Sequence, residues 1–432
     1  MGQRIAIVGS GIAGLGAAWA LHRDNDITVF EANDRIGGHA NTVDVEMGDR
    51  SVSVDTGFIV YNEVTYPNLT RLLALLGVET EPSDMSFAYS RADGFEYGAS
   101  LGGVLARPRN LISGRFLRML GDINRFRREG AALVPRPGDS IEDLLRARGY
   151  SDGFLEDYLY PMAGAIWSTP QSSIGRFPAR PLLDFLRNHG LIEIVGRPQW
   201  RTVTGGSRRY VAALSAGFVD RIRTGTPVRA MGRRQDGVTV ATGSGIEEFD
   251  QVVLATHSDQ ALRILGDDAS GLERRMLSAI PYRRNLAVLH SDDRLMPRNP
   301  RIWSSWNAMA RTTDGEAVSV SYWMNRLQNL KTPKPLMVSL NPISHPDPML
   351  VHGTYEYDHP QFDRAAVDAQ RQIADAQGLQ RTWFAGAYLG YGFHEDGLQA
   401  GLDVAAALGS PAPWRGAVDR ASSVVAPVRV AA

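Results

Sequence analysis

Cysteine is absent from the 432-residue chain. That excludes disulfides, Cys-ligated zinc, iron–sulfur clusters, thiol nucleophiles and cysteinyl-linked cofactors. Lysine is almost absent: it occurs only at Lys331 and Lys334, so the other 44 of the 46 basic residues are Arg. This restricts any catalytic amine to two positions. No excess of charge exists, with 46 basic against 47 acidic residues and a net charge of −1. A general nucleic-acid binder would carry a basic excess. Apolar runs stay well short of the ~20 residues that span a bilayer. Residues 1–8 lead directly into a strand pattern, without the basic start and long apolar core of a secretory signal, so a cytoplasmic location is expected. A hydrophobic content of 44% leaves ample chain for a large core. The length suggests roughly two to three domains of ~150 residues.

What is present begins at the N-terminus. Residues 4–8 form a short β-branched run, as in a buried parallel strand. Gly9-Ser10-Gly11-Ile12-Ala13-Gly14 follows, then a helical stretch from Leu15, then a second strand over residues 27–30 that ends in Glu31. This is the βαβ dinucleotide fingerprint in context. The first Gly makes the turn, the second admits a pyrophosphate, and the third lets helix and strand pack closely. The helix N-terminus favours the phosphate charge, and Glu31 is placed to accept from a ribose diol. The motif alone does not choose between NAD and FAD.

The next residues do. Glu31-Ala32-Asn33-Asp34-Arg35-Ile36-Gly37-Gly38-His39-Ala40-Asn41-Thr42 puts Arg35 and a Gly pair just after the ribose acid. This resembles the FAD-binding signature of the flavin amine oxidase and phytoene desaturase superfamily. His39 stands where that superfamily usually carries Arg. The resemblance implies FAD, with further contacts from Ala32, from Thr56 and Gly57 after the strand at 52–55, and from Val228 at the end of a strand over 223–228. It also implies Ala255 and Thr256 after the buried strand at 249–256. A C-terminal segment completes the pattern: a strand ends at Gly386, and a helix opening at Asp396-Gly397-Leu398-Gln399-Ala400-Gly401 is expected to bring Gly397, Leu398 and Ala400 to the flavin and pyrophosphate.

The implied fold is α/β, a discontinuous Rossmann-like FAD-binding domain (1–80, 200–265 and 378–410) with an inserted α+β substrate domain (81–199 and 266–377). The first inserted segment reads as helix-rich and the second as largely β. The tail from residue 411 is expected to fray.

Two departures bear on chemistry. Flavin amine oxidases hold water near flavin N5 with a Lys on a substrate-domain strand. The corresponding strand, residues 285–290, has no Lys and carries Ala287. They also guide the amine with two aromatic residues, and His394 takes the place of one. The chain is more closely similar to a bacterial subgroup with a GGHANT-type N-terminus, and to the oxidase-like region of plant cyclopropane fatty acid synthases. Its members accompany enzymes that methylate double bonds of membrane acyl chains, and one branch desaturates methylated chains on the way to furan fatty acids. The resemblance therefore implies a dehydrogenase of methyl-branched unsaturated acyl chains, with hydride passing to flavin N5. The alternatives are an amine or amino-acid oxidase, or a flavin-binding protein without redox activity. The proton acceptor should have a pKa near working pH, which makes His394 the first candidate and Glu395 and Tyr355 the next.

One segment suits a lipid substrate. Residues 107–128 contain seven Arg (107, 109, 115, 118, 125, 127 and 128) and one acid, Asp122, with apolar residues between them. Read as a single basic amphipathic helix, the segment is expected either to pack on the protein with its arginines solvated or to lie on an anionic membrane surface.

Overall fold

A computed structural model describes residues 2–167, 170–192, 198–310 and 318–415. A five-stranded parallel sheet is built around β1 (Arg4–Val8) and β2 (Asp26–Phe30), joined by helix α1 (Ile12–Leu21). Across the sheet the order is Ile222–Arg223, β2, β1, Gln251–Leu254 and Thr382–Phe384. The alternation of side chains along a strand, with both faces covered, explains why β1 is apolar from Ile5 onward. Ile5 and Ile7 enter the core shared with α1, whereas Ala6 and Val8 enter a second core with Phe384 and the helix Arg364–Ala376.

The second layer is a seven-stranded sheet. Its order is Val351–Pro360, Tyr282–His290, Met337–Leu340, Val318–Trp323, Trp306–Ala310, Phe87–Arg91 and Glu96–Gly98. Every pairing is antiparallel except that of Trp306–Ala310 with Phe87–Arg91. The segment 81–199 thus supplies two strands of this sheet as well as helices. Those helices include Gly114–Glu129, Ile141–Ala147, Tyr160–Trp167 and Ala179–Asn188.

Three local expectations change. The strand expected over 223–228 is only Ile222–Arg223, because the chain turns at Gly225, which has φ +58°. The tail does not fray at once: Trp414 stacks on Trp19 at 5.7 Å and its indole N–H donates to Asn68 Oδ1 at 3.0 Å. Residues 416–432 lie outside the described residues. The segment 107–128 is not one helix but a 3₁₀ turn (Pro108–Ile112) followed by the helix Gly114–Glu129. Several of its arginines face protein carboxylates. Arg107 pairs with buried Glu96 at 2.7 Å, Arg115 with Asp157 at 2.6 Å, and Arg125 with Glu129 at 3.0 Å.

The C-terminal helix His394–Ala407 lies directly against α1. Glycine sets the spacing. A Cβ on Gly401 would sit 2.1 Å from the carbonyl oxygen of Ala13, a backbone atom that cannot swing aside. Gly401→Leu should therefore force the helices apart and cost about 3 kcal/mol or more, the upper range for overpacking a core. Thermal denaturation should show a clear fall in Tm. Gly114→Ala, at an exposed helix start with nothing within 4 Å, should leave Tm unchanged or raise it slightly.

Candidate active site

The loop after β1 is shaped by its own backbone. Gly9 has φ +104°, and a Cβ there would lie 2.5 Å from the carbonyl oxygen of Ala255. A Cβ on Gly14 would meet the Gly9 carbonyl at 1.9 Å. Gly11 differs, since a Cβ there meets nothing within 4 Å. It therefore borders open space at the start of α1, whose first turn has no side-chain cap. The unpaired N–H groups and the positive end of the helix dipole face that space, an arrangement suited to a pyrophosphate. Ile12 and Ala13 are buried in the core, so only their backbone is available to a ligand. The Gly37-Gly38 pair closes over this loop: Gly37 N–H donates to the Ser10 carbonyl at 2.9 Å. Arg35, on the exposed side, ties that turn together by donating to the carbonyls of Gly38 (2.9 Å) and Ala40 (3.4 Å).

Glu31 is buried at the end of β2. Its Oε2 accepts from the backbone N–H and hydroxyl of Ser10 at 2.9 and 2.6 Å, and its Oε1 from the N–H and side-chain amide of Asn33, both at 2.9 Å. A carboxylate has about four acceptor sites, so a ribose diol reaching Glu31 displaces one of the side-chain donors. Ala32 is exposed beside it. The turn leading to half-buried Val228 hydrogen-bonds to this corner through Gly225 N–H to Asn33 O (2.7 Å) and Thr226 N–H to Glu31 O (2.8 Å).

The second half of the site lies where the two sheets meet. Phe58 N–H donates to the His39 carbonyl at 2.8 Å and Thr56 N–H to the Asn41 carbonyl at 2.9 Å. Gly57 permits this approach, because a Cβ would sit 2.1 Å from the His39 carbonyl oxygen. The Tyr357 hydroxyl lies 2.7 Å from Thr56 Oγ1 and accepts from Asn41 Nδ2 at 2.9 Å. His39 is surrounded by rings, with centroids 5.1 Å from Tyr357, 5.5 Å from His359 and 6.4 Å from His257. Burial and then the neighbouring imidazoles hold His39 well below the usual histidine range. Burial likewise lowers His257, and pushes His359 down to about 4. This group is uncharged at neutral pH.

His394, the first residue of the C-terminal helix, stacks flat on Phe58 with centroids 3.8 Å apart. Its Nε2 lies 2.6 Å from the Tyr210 hydroxyl. Burial pushes His394 down to about 3, which corrects the expectation of a pKa near working pH. Glu395 has a different environment from the one expected of a free base. Its carboxylate accepts from the N–H groups of Asn68 (2.8 Å) and Leu69 (3.0 Å), capping the start of the helix Pro67–Leu75. Tyr355 is half-buried opposite Ala287 in the antiparallel pair, and burial raises its pKa. Leu398 and Ala400 are buried against α1, and a Cβ on Gly397 would come 2.9 Å from Ile12. The starts of the two helices are therefore side by side. Gly386 gives room to the Tyr388 ring, and Thr256 donates to the His257 carbonyl at 3.1 Å.

Sequence reasoning did not single out Phe58, Tyr210, Tyr357, His257 or His359. The period-2 series Tyr355, Tyr357 and His359 on one strand was the available signal. Asp55 was also passed over. It accepts from Ser207 N–H and hydroxyl (2.9 and 2.7 Å), from Thr42 (2.6 Å) and from Gln328 (2.8 Å), and burial pushes it up to about 6.

These residues fit FAD, which would lie with its pyrophosphate at Gly11 and between the two helix starts. Gly11→Val should fold normally, since a Cβ there meets no protein atom within 4 Å, yet fill the pyrophosphate space. The purified variant should be colourless with an unchanged Tm for the apoprotein, whereas the native chain should release FAD on denaturation.

Residues 12–409 match the sequence profile of the flavin-containing amine oxidoreductases. Among curated proteins the chain is similar to AofH, a candidate flavin-containing monoamine oxidase of Mycobacterium tuberculosis, with 27% identity over 273 residues. That match spans 58% of this chain and 56% of the relative, a little over half its length. The fold is shared with cyclohexylamine oxidase from Brevibacterium oxydans, with TM-score 0.67, 18% identity and coverage of 94% of this chain and 99% of the other. It is shared also with a fatty acid isomerase from P. acnes that produces CLA, with TM-score 0.65, 15% identity and coverage of 92% and 97%. The profile match spans both helix starts and nearly every strand described above, and the chain belongs to the flavin-containing amine oxidoreductase family.

Proposed function

We propose that the chain dehydrogenates an apolar, unsaturated acyl chain carrying a methyl branch. One observation carries this reading. On the strand Tyr282–His290, where an amine oxidase places its lysine, this chain presents buried Ala287. Both lysines are instead exposed, at Lys331 and Lys334. No amine is thus available to hold water over the reacting carbon. The fatty acid isomerase of the same fold is a precedent for an acyl substrate on this scaffold.

FAD, when bound, supplies the hydride acceptor. A hydride lost from a CH₂ next to a double bond leaves an allylic cation, which the methyl branch stabilises. Loss of a proton from the adjacent carbon then gives a conjugated diene. A proton beside a cationic centre is acidic, so a weak base suffices. His394 is neutral from mild acid upward, and Phe58 and Tyr210 hold its ring in place.

Two outcomes are expected. Anaerobic mixing with methyl-branched unsaturated phospholipid should bleach the flavin, and simple primary or secondary amines should not. Rapid reduction by an amine would replace this reading with that of an amine oxidase. His394→Ala should keep its FAD and lose about 10²-fold in the rate of reduction, the lower end for a positioned acid–base group. Because the imidazole protonates only near pH 3, the acid limbs of the native and variant profiles should superimpose between pH 5 and 8. An acid limb near pH 6.5 that disappears in the variant would show an ordinary histidine instead.

A further inference from the structure

Residues 105–112 bury a polar side chain and expose large apolar ones. Asn110 is buried and donates to the Glu96 carbonyl at 2.8 Å, and Arg107 reaches the buried Glu96 carboxylate at 2.7 Å. From the opposite side, Asn299 donates to the Ala106 carbonyl at 3.2 Å. Beneath the following helix, Phe116 and Met119 are fully buried. The outer face is apolar by contrast: Ile112 is 86% exposed, and Leu105, Leu111 and Leu117 are exposed as well. The other exposed large hydrophobic residues are scattered along the chain. A segment held from below by polar side chains while presenting four large aliphatic ones outward is a built surface. Contiguous apolar patches rimmed by polar residues mark interaction sites.

Charge identifies the occupant. Between Gly98 and Gly121 there are four arginines and no acidic residue. Arg107 and Arg115 are paired with carboxylates, but exposed Arg109 and Arg118 make no ion pair among the described residues. Aliphatic tips flanked by free guanidinium groups match an acyl layer beneath anionic headgroups. No helix among the described residues is long and apolar enough to cross a membrane, so such contact would be peripheral. We propose that this segment docks the protein on an anionic phospholipid bilayer through Leu105, Leu111, Ile112 and Leu117, with Arg109 and Arg118 against the headgroups. The proposal rests on this surface alone and is independent of the acyl-substrate reading.

The test uses the full-length, FAD-loaded protein in co-sedimentation with phosphatidylcholine vesicles, with and without phosphatidylglycerol. Binding should require phosphatidylglycerol. It should weaken with salt as the Debye length contracts from ~10 Å at 0.1 M to ~3 Å at 1 M. Arg109→Ser with Arg118→Ser should weaken binding about thirtyfold, a few-fold for each arginine lost. Leu111→Asp with Ile112→Asp should weaken it about as much while leaving FAD content and circular dichroism unchanged. Equal binding to both vesicle types, or undiminished binding in both variants, would overturn the proposal. So would native protein that ignores vesicles but forms a dimer that Leu111→Asp with Ile112→Asp dissociates, because the face would then contact a second copy of the chain.

Discussion

Everything in the cofactor half depends on backbone meeting backbone. Three glycines let α1 settle against the strand beneath it and the helix beside it. Gly14 lies on the Gly9 carbonyl, Gly9 on the Ala255 carbonyl, and Gly401 on the Ala13 carbonyl. None of these contacts tolerates even a methyl group. Their result is electrostatic as much as steric. Two helix starts 382 positions apart in sequence, at Ile12 and His394, are brought side by side, and their dipoles add over the same small space. An anionic bridge between two nucleotides is the chemical group such a field favours.

At the sheet junction the balance is different. Imidazoles from the glycine loop, the end of the Gln251–Leu254 strand, the Val351–Pro360 strand and the C-terminal helix gather around one region, and burial shifts each toward its neutral form. Taking several cations into one low-dielectric volume would be strongly unfavourable, so neutrality is the stable state. The result is a polar yet uncharged wall. It carries hydrogen-bonding capacity without the fixed charge that would exclude a hydrocarbon.

Legibility in the sequence follows contact range. The βαβ unit was readable because its strand, glycine turn, helix and acid are consecutive and each residue type has a local geometric reason. The unbroken apolar run of β1 identified a strand buried on both faces for the same reason. Glu395 looked like a free base because the backbone it caps lies at Asn68 and Leu69, far away in sequence. The arginine-rich segment looked like one solvated helix because the partners of Arg107 and Arg115 come from a strand and from a later helix. The pKa of His394 was misjudged because burial by Phe58 and Tyr210 is a tertiary property. The strand expected up to Val228 yields to the turn at Gly225, whose hydrogen bonds to residues 31 and 33 only the folded sheet supplies.

The order of strands in the parallel sheet carries a consequence for biosynthesis. β1 emerges from the ribosome among the first residues, yet one neighbour arrives with residues 251–254 and the sheet ends only with residues 382–384. The helix that covers α1 follows later still. Asp55 waits in the same way for Ser207 and Gln328. Until almost the whole polypeptide has been made, the glycine loop lacks its flanking walls and α1 keeps an apolar face open to water. Such late, long-range pairing makes a slow and aggregation-exposed stage of folding. A ribosome that stalls before residue 382 would therefore leave a chain carrying the whole N-terminal fingerprint but only half a cradle.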